Sequence, residues 1–203
     1  MKKIVCVLIS AVFSLCVSIS VLAQGDAAAG QAKATLCASC HGQDGNSALA
    51  MNPKLAGQNA GYLSKQLRDF KSGARPSPTM SAMVASLSDT DIADISAWYA
   101  SQEITIGAAQ NEGIELAQTI YRAGIKDLAV AACSACHSPT GQGNAQAGFA
   151  AIGGQHAEYT LLQLKAFRSG ERANDASGMM RTITERLTDP ELEALSNYLS
   201  GLN

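Results

Sequence analysis

Cys37-Ala38-Ser39-Cys40-His41 is repeated as Cys133-Ser134-Ala135-Cys136-His137, and these two C-x-x-C-H motifs are the most informative feature of the sequence. C-x-x-C-H is the attachment sequence of a c-type haem. Two thiols three positions apart lie on one helical turn, so both can add to vinyl groups of the same porphyrin. The histidine that follows is held beside the iron, where its imidazole can be an axial ligand. The sequence therefore predicts two covalent haem c groups on Cys37, Cys40, Cys133 and Cys136, with His41 and His137 as iron ligands.

Residues 1–23 have the features of a cleaved export signal. Met1-Lys2-Lys3 is basic, residues 4–22 carry no charge, and Val21-Leu22-Ala23 ends the apolar run with a small residue. These features predict cleavage near Ala23 and Gln24, and hence a periplasmic location. An uncleaved membrane anchor is the alternative, because the apolar run is almost long enough to span a bilayer.

The cysteines that remain after processing are all in the two motifs. Removal of residues 1–23 also removes Cys6 and Cys16, which leaves no thiol for a structural disulfide. A zinc site built from the two C-x-x-C pairs is an alternative, but zinc does not require a histidine directly after each second cysteine. A thioredoxin-like redox motif requires a βαβ context, and the sequence has none.

The charge balance excludes one class of partner. Without Lys2 and Lys3 the chain carries 13 lysines and arginines against 17 aspartates and glutamates. No basic cluster of the kind that binds nucleic acid is present. The net acidic charge is small, so we expect it to steer partners only weakly.

The second half of the chain repeats the first. Leu55-Ala56-Gly57-Gln58 returns 97 residues later as Ile152-Gly153-Gly154-Gln155, and Phe70-Lys71-Ser72-Gly73 returns at the same offset. Farther along, Leu87-Ser88-Asp89 returns as Leu187-Thr188-Asp189 at an offset of 100, which indicates a small insertion between Gly170 and Met180. The repeat is a duplicated small domain, since two copies of this length do not make a solenoid. Together with the export signal at 1–23, the repeat predicts a first domain at 24–101, a linker at 102–110 and a second domain at 111–203.

The apolar spacing within each copy predicts an all-α fold. Opening helices are expected at Ala27–Leu36 and Asn111–Arg122, and a helix capped by Asn59 is expected to end at Gly73. Ser88 to Asp91 and Thr188 to Glu191 resemble capping boxes before the last helix of each copy. Period-two alternation is missing, so no sheet is expected. A domain of 80–90 residues has a marginal core, and we expect a buried haem to complete it.

The second axial ligand decides what such a protein can do. The chain has three histidines, and two of them belong to the motifs, so two bis-histidine haems are excluded. Met80 and Met180 are equivalent, because each lies seven residues before the leucine of a repeated segment. A thioether ligand closes the iron to small molecules, which favours electron transfer and argues against an enzyme such as a peroxidase. Met180 has Met179 as its alternative, whereas Met51, Met83 and Met179 are otherwise predicted to fill the core.

The sequence resembles the cytochrome c4 family, in which two class I cytochrome c domains follow one another. The resemblance runs from about Gly25 to Asn203 and is most specific in His41–Ser47, Pro53–Gln58, Gly153–His156 and the two Met-to-Leu segments. It implies two haems, the first held by Cys37, Cys40, His41 and Met80, the second by Cys133, Cys136, His137 and Met180. It also implies a periplasmic electron carrier, soluble or loosely associated with the membrane. Its implied partners are a quinol-oxidising cytochrome bc complex and a terminal oxidase.

One departure from the family pattern, one residue with two possible positions and one alternative function accompany this resemblance. The family has a proline whose carbonyl accepts a hydrogen bond from the proximal imidazole, a role that Pro53 fits in the first half. The second half has no such proline, and the carbonyl of Ala150 is expected to replace it. His156 is predicted to lie in the first turn of a surface helix, or alternatively at the domain interface near a propionate. A cytochrome subunit that pairs with a flavoprotein in a sulfide dehydrogenase also resembles two fused class I domains, so this function stays open.

Overall fold

The computed structural model describes residues 25–203, and the predicted signal peptide with its cleavage site lies outside this range. Ten α-helices follow in order: α1 Ala27–Lys33, α2 Thr35–His41, α3 Ala60–Ser72, α4 Pro78–Val84, α5 Asp89–Ala100, α6 Ile114–Ala123, α7 Ser134–His137, α8 Ala157–Ser169, α9 Met179–Thr184 and α10 Asp189–Ser200. The only β pairing among these residues consists of two isolated bridges, Ile125 with Val130 and Asn144 with Phe149. The predicted all-α class is confirmed. None of the described helices is long and apolar enough to cross a bilayer.

The predicted first helix, Ala27–Leu36, is wrong in one respect, because the chain breaks it at Ala34. The Asp26 carboxylate starts α1 by accepting hydrogen bonds from the Ala28 and Ala29 amides. After the break α2 carries the first C-x-x-C-H motif and ends at Gly42, whose φ of +82° favours glycine. The break lets α1 cross α5 closely while α2 turns the motif towards the interior.

The later helices of the first half begin and end where the sequence predicts. Gly73, in the left-handed conformation, ends α3, and a capping box between Ser88 and Asp91 starts α5. Asn59 occupies the N-cap position of α3, but its side chain makes no capping bond. The capping role predicted for Asn59 is therefore wrong, since its amide is used elsewhere, as described below.

The second half repeats these elements with small changes. Helix α6 begins at Ile114, three residues later than predicted, because Gly113 in the left-handed conformation precedes it. The second motif occupies a single turn, α7. The Glu191 carboxylate accepts bonds from the Thr188 amide and hydroxyl and so starts α10. In the predicted insertion, Ala176–Gly178 forms a 3₁₀ turn.

The two halves have unequal apolar cores. The buried apolar cluster of the first half consists of Ala34, Leu63, Ile95 and Tyr99. That of the second half has eleven members, among them Tyr121 and Tyr198 with ring centroids 5.6 Å apart. Trp98 packs against the edge of the first cluster, as expected of a helix-packing aromatic. Ala56, Phe70, Val84 and Ile92 are also buried in the first half but lie outside this cluster, so its apolar core is less continuous than that of the second half.

Equivalent residues of the two halves make reciprocal contacts across a pseudo-twofold axis. The Gln58 side chain bonds to both the amide and the carbonyl of Ala151, over 2.8 and 2.7 Å. Gln155 bonds in the same way to the amide and carbonyl of Lys54, both over 2.9 Å. Each glutamine thus satisfies a peptide group of the opposite half, as a neighbouring β-strand would.

The residues after these glutamines extend the interface. The side-chain amide of Asn59 donates through Nδ2 to the Phe149 carbonyl over 2.8 Å. The Nε2 atom of His156 lies 2.9 Å from the Ser47 carbonyl oxygen. His156 therefore lies between the two halves. The prediction that it lies on a surface helix is wrong, and the alternative prediction that it lies at the domain interface is confirmed. Proximity of His156 to a propionate stays a prediction.

Two buried arginines cross between the halves. Arg75 donates to the Tyr159 hydroxyl over 2.9 Å and to the side-chain oxygen Oε1 of Gln163 over 2.7 Å. Arg172 donates to the Tyr62 hydroxyl over 2.9 Å and to Gln66 over 3.0 Å. Each guanidinium also lies over a phenylalanine ring of its own half, at 4.6 Å for Phe70 and 4.4 Å for Phe167.

Candidate functional site

The first motif places one imidazole in the interior of the first half. His41 is the last residue of α2 and is buried. Its Nδ1 atom lies 2.9 Å from the Pro53 carbonyl oxygen, so the carbonyl holds the proton on Nδ1 and leaves the Nε2 lone pair for a metal. Burial lowers the pKa of His41, and the Pro53 carbonyl opposes this shift in part. The neutral ring is the form that binds a metal.

The second motif has the same arrangement on a shorter helix. The His137 Nδ1 atom lies 2.8 Å from the Ala150 carbonyl oxygen. Burial lowers the pKa of His137 as well, again against the effect of the carbonyl. The contacts predicted with Pro53 and Ala150 are both confirmed. The carbonyl of an alanine therefore orients the imidazole as well as that of a proline does in the first half.

None of the four motif cysteines is in a disulfide, and each lies on the turn before its histidine. Cys37 and Cys133 face inward, and burial raises the pKa of both, to about 11 for Cys133. Cys40 is exposed and Cys136 is half-buried. Cys37 and Cys133 are half-buried too, and each packs against the apolar cluster of its own half.

The turn that follows the first motif is fastened to the end of α2. The Cys40 carbonyl accepts bonds from the Ser47 hydroxyl over 3.0 Å and from the Asn52 side chain over 3.1 Å. The Ser47 hydroxyl in turn accepts from the Leu49 amide. These polar residues fix the turn beside Cys40, and no sequence motif predicts this role of Asn52.

The predicted methionine ligands lie on equivalent short helices. Met80 is the third residue of α4, which packs on α3, and Met180 is the second residue of α9, which packs on α8. Both side chains are half-buried. Met83 is half-buried too, whereas Met51 is 54% and Met179 is 41% exposed. The prediction that Met51 and Met179 fill the core is therefore wrong, because one lies in the turn beside Cys40 and the other opens α9 after Gly178.

The donor groups fit a haem and do not fit zinc. In the described part of the chain, no three His, Cys, Asp or Glu side chains gather closely enough to hold a metal ion, so the two C-x-x-C pairs form no common zinc site. Each half instead offers two free thiols and one imidazole whose Nδ1 is already engaged.

The two arginines that cross between the halves were missed at the level of the sequence, although the repeat contained a signal for them. Arg75 and Arg172 were not predicted, although they are separated by the same 97 residues as the rest of the repeat. That spacing was a usable signal, since a charged residue kept at one position in both copies indicates a shared role. The repeated glutamines Gln66 and Gln163 gave the same signal, and the arginines bond to both.

Comparison with known proteins identifies the family. The sequence matches the family described as cytochrome c over residues 27–103 and 119–203. Cytochrome c4 of Azotobacter vinelandii is 44% identical, with 89% of this chain and 91% of that protein covered. The crystal structure of reduced recombinant cytochrome c4 from Pseudomonas stutzeri superposes with a TM-score of 0.86 at 43% identity, covering 88% of this chain and all of that one. A thiosulfate dehydrogenase electron acceptor of Stutzerimonas stutzeri is 39% identical, over 83% of this chain and 80% of its own.

The fold and the two equivalent sites therefore define a dihaem c-type cytochrome, an electron-transfer protein and not an enzyme. Its two tandem cytochrome c domains each carry one covalent haem c group. Within this class the chain belongs to the cytochrome c4 family. Its partners are accordingly other redox proteins.

Proposed function

We propose that this chain carries electrons one at a time through the periplasm, from a cytochrome bc complex or a similar donor towards a terminal oxidase. The main support for the proposal is that the sites around His41 and His137 are equivalent. His41 is buried and His137 is half-buried, and both have Nδ1 engaged by a backbone carbonyl. Two sites of one design in one chain suit storage and passage of electrons better than binding of a substrate at one of them.

The residues proposed to hold the two haems are equivalent in pairs. Cys37 and Cys40 attach the first and Cys133 and Cys136 the second. His41 and His137 are the proximal ligands, and Met80 and Met180 the distal ones. Met180 is preferred to Met179 because its side chain is half-buried, whereas that of Met179 is 41% exposed. Once bound, the haem irons supply the one-electron chemistry, and thioether ligands keep their potentials high.

Backbone carbonyls hold the two imidazoles in place. The Pro53 and Ala150 carbonyls fix the ring orientation of His41 and His137, so neither ring has to rotate when an electron arrives. The reciprocal bonds of Gln58 and Gln155 hold the two halves in one relative position. A fixed separation and orientation keep the reorganisation that accompanies electron transfer small.

The proposed location and boundaries follow from the sequence. The export signal at 1–23 and the covalent attachment of haem both suit the periplasm. We propose a first domain at 24–101 and a second at 111–203, joined by 102–110. With Cys37 and Cys40 both changed to serine, limited proteolysis should degrade the first domain and spare the second, which has the larger core. Equal resistance of both domains would contradict this division.

A second candidate function, as the electron acceptor of a sulfur-oxidising dehydrogenase, is supported by the relative from Stutzerimonas stutzeri. That protein is named as the electron acceptor of a thiosulfate dehydrogenase and matches this chain over most of its length. The chain then accepts electrons from a sulfur-oxidising dehydrogenase, either a thiosulfate enzyme or the flavoprotein of a sulfide dehydrogenase. The haem sites are the same in both functions, so only the donor distinguishes them.

The experiment has two stages. Haem analysis of the purified protein should give two haems per chain that survive acid–acetone extraction, and mass spectrometry should place them on the four motif cysteines. The oxidised protein is then offered, separately, to a reduced cytochrome bc complex, to a thiosulfate dehydrogenase with thiosulfate, and to a sulfide dehydrogenase flavoprotein with sulfide. Fastest reduction by the bc complex supports the respiratory role, whereas fastest reduction by either sulfur enzyme replaces it.

A further inference from the structure

The insertion in the second half lies directly before its proposed distal ligand. Met80 follows Arg75 by five residues, whereas Met180 follows Arg172 by eight, although the two arginines are equivalent in the repeat. The three additional residues therefore lie between Arg172 and Met180. We call residues 172–175 the clasp segment.

Asn174 fastens the clasp segment to the first half. Its side-chain Nδ2 atom donates to Gln66 Oε1 over 2.9 Å and to the Asp69 carboxylate over 2.5 Å. Its backbone carbonyl accepts a hydrogen bond from Lys65 Nζ over 2.8 Å. These three partners all lie on α3, and Lys65 and Asp69 also form an ion pair with each other. One residue of the second half is thus held by three side chains of the first.

The next residue holds the helical turn that carries Met180. The Asp175 carboxylate accepts from the Arg181 amide over 3.1 Å and from Arg181 Nε over 2.8 Å, and its side chain is only 5% exposed. Gly178 at the N-cap position of α9 has no side chain that could make such a bond. On the other side of the turn, the Met180 carbonyl accepts from the Thr184 hydroxyl over 2.8 Å. Asp175 and Thr184 together fix the turn of α9.

The first half holds its equivalent methionine by local contacts. The Ser77 hydroxyl accepts a hydrogen bond from the Met80 amide over 3.3 Å, and Pro78 is the first residue of α4. In the structure from residue 25 onward, residues 76–79 make no hydrogen bond to the second half. The backbone of Met180 is therefore connected to the opposite half through the clasp segment, whereas that of Met80 is held from within its own half.

The clasp segment transmits position, because its two anchoring residues are neighbours in the chain. Consecutive Cα atoms are about 3.8 Å apart, so Asn174 and Asp175 have to move together. A displacement of α3 relative to the second half therefore displaces the turn of α9. An axial ligand is sensitive to such a displacement, since the loss of contacts that orient a ligand typically weakens metal binding by about 10–100-fold.

We propose that Asn174 and Asp175 are positioning residues for Met180, through which the contact between the halves strengthens the bond from the Met180 sulfur to the second iron. The bond to the first iron has no such dependence. When the clasp segment is loosened, the sulfur leaves with its electron pair and an added ligand supplies another, so the iron is neither oxidised nor reduced. The proposal rests on the proposed function, in which Met180 is the distal ligand.

Cyanide binding to the oxidised holoprotein tests the proposal, because cyanide reaches an iron only after its thioether has left. Stopped-flow absorbance in the far-red sulfur-to-iron band gives one phase for each haem, and Met180→Ala identifies the phase of the second. We expect Asn174→Ala to raise the binding rate at the second haem about tenfold and to leave the first within about twofold. The matched control is Glu171→Ala, which removes an exposed side chain just before the clasp segment and should change neither rate.

A variant of the first half tests the connection from the other side. Asp69→Ala removes an acceptor of Asn174 and leaves the second half unaltered in sequence. It should raise the cyanide rate about threefold at the second haem and leave the haem of its own half within about twofold. Asp69→Asn keeps an acceptor oxygen and should restore most of the parental rate. A merely structural role of Asp69 would instead affect the first haem at least as strongly.

The outcomes separate this proposal from the ligand assignment on which it rests. Faster cyanide binding at both haems alike, at the first alone or at neither overturns the proposal, as does an equal effect of Glu171→Ala. If Met180→Ala leaves the second iron as closed as in the parent, the ligand assignment fails. If Met180→Ala opens that iron while Asn174→Ala and Asp69→Ala change nothing, only the positioning role fails.

Discussion

Arg75 of the first half donates a hydrogen bond to the Tyr159 hydroxyl of the second half over 2.9 Å. It is buried, and its remaining contacts are to glutamine oxygens and to the face of Phe70. A buried guanidinium with neutral acceptors depends on every one of them, because the desolvation of the charge has to be offset by hydrogen bonds. The arginine therefore contributes to stability only while the two halves are together.

Arg75→Met should destabilise the holoprotein by about 2–4 kcal/mol, because it removes three charge-assisted hydrogen bonds of a buried guanidinium, two of them between the halves. Guanidinium-induced unfolding, followed by absorbance and circular dichroism, measures the effect. Arg68→Met is the control, since the Arg68 side chain is half exposed and pairs with an exposed Asp89. It should cost no more than about 0.5 kcal/mol. Similar losses for both variants would mean that the cross-contact adds little.

A double-mutant cycle isolates the bond between the halves. Tyr159→Phe removes the acceptor and keeps the ring, so Arg75→Met and Tyr159→Phe together should cost less than the sum of the single variants. We expect a coupling free energy of about 1 kcal/mol. Simple additivity of the two changes would show that the bond does not contribute in solution.

The distal ligands can be tested one at a time. Met180→Ala should open the second iron, so that added cyanide or carbon monoxide binds to it and the spectrum changes accordingly. Met179→Leu is the matched control and should leave spectra and potentials almost unchanged, because its side chain is partly exposed. If Met179→Leu opens the iron instead, the ligand in the second half is one residue earlier. Met80→His should keep the first iron closed but lower its potential, as a redox titration would show.

Gly30 marks the close crossing of α1 and α5. A Cβ atom there would lie 2.0 Å from the Asp94 carbonyl oxygen and 2.9 Å from the Trp98 Cβ atom. Gly30→Ala should therefore cost about 3 kcal/mol or more in free energy of unfolding, since the two helices have to separate. Gly61→Ala is the control, because its added methyl group meets nothing within 4 Å. It should be neutral or stabilise by about 0.5 kcal/mol. Equal stability of both variants contradicts the close crossing.

Asp94 connects the start of the chain to α5 and should make stability depend on pH. Its carboxylate accepts from the Lys33 Nζ atom over 2.7 Å and from the Asp26 amide over 2.8 Å. Lys33 first, and the Asp26 amide second, hold the pKa of Asp94 below its usual value. A lowered folded-state pKa gives stability that is present above the unfolded value of about 3.9 and is lost as pH falls through the folded value.

Asp94→Asn should accordingly be less stable than the parent at neutral pH, and the difference should shrink as the solution is acidified below about pH 4. Urea unfolding at a series of pH values measures it. Asp89→Asn is a control on the same helix, because its carboxylate is 85% exposed beside Arg68. A difference for Asp94→Asn that stays constant down to strongly acidic pH would contradict the assigned role of its charge.

Features governed by neighbouring residues were predictable from the sequence. The capping box at Ser88, the glycine stop at Gly73 and the carbonyl contacts of His41 and His137 all depend on short stretches of chain. Repetition then extended each feature from one half to the other. The two haem groups follow from the motifs alone, because attachment needs only the C-x-x-C-H turn.

Features that depend on contacts between distant residues were not predictable in this way. The sequence predicts Asn59 as a helix cap, yet its side-chain amide donates to the carbonyl of Phe149, 90 residues later. The exposure of Met51 results from the turn being fastened to Cys40, and composition alone gives no sign of it. The crossing of Arg75 to Tyr159 needs the relative position of the two halves, which no local pattern encodes.

The pseudo-twofold contacts of Gln58 and Gln155 have a consequence for assembly. A surface in which each residue meets the equivalent of its own partner is self-complementary, and such a surface can join two identical chains as an isologous dimer. Here both halves belong to one chain, joined through the proposed linker at 102–110, so their association is intramolecular and is governed by an effective concentration and not by dilution. The pair of redox centres therefore stays assembled at any protein concentration that the cell maintains.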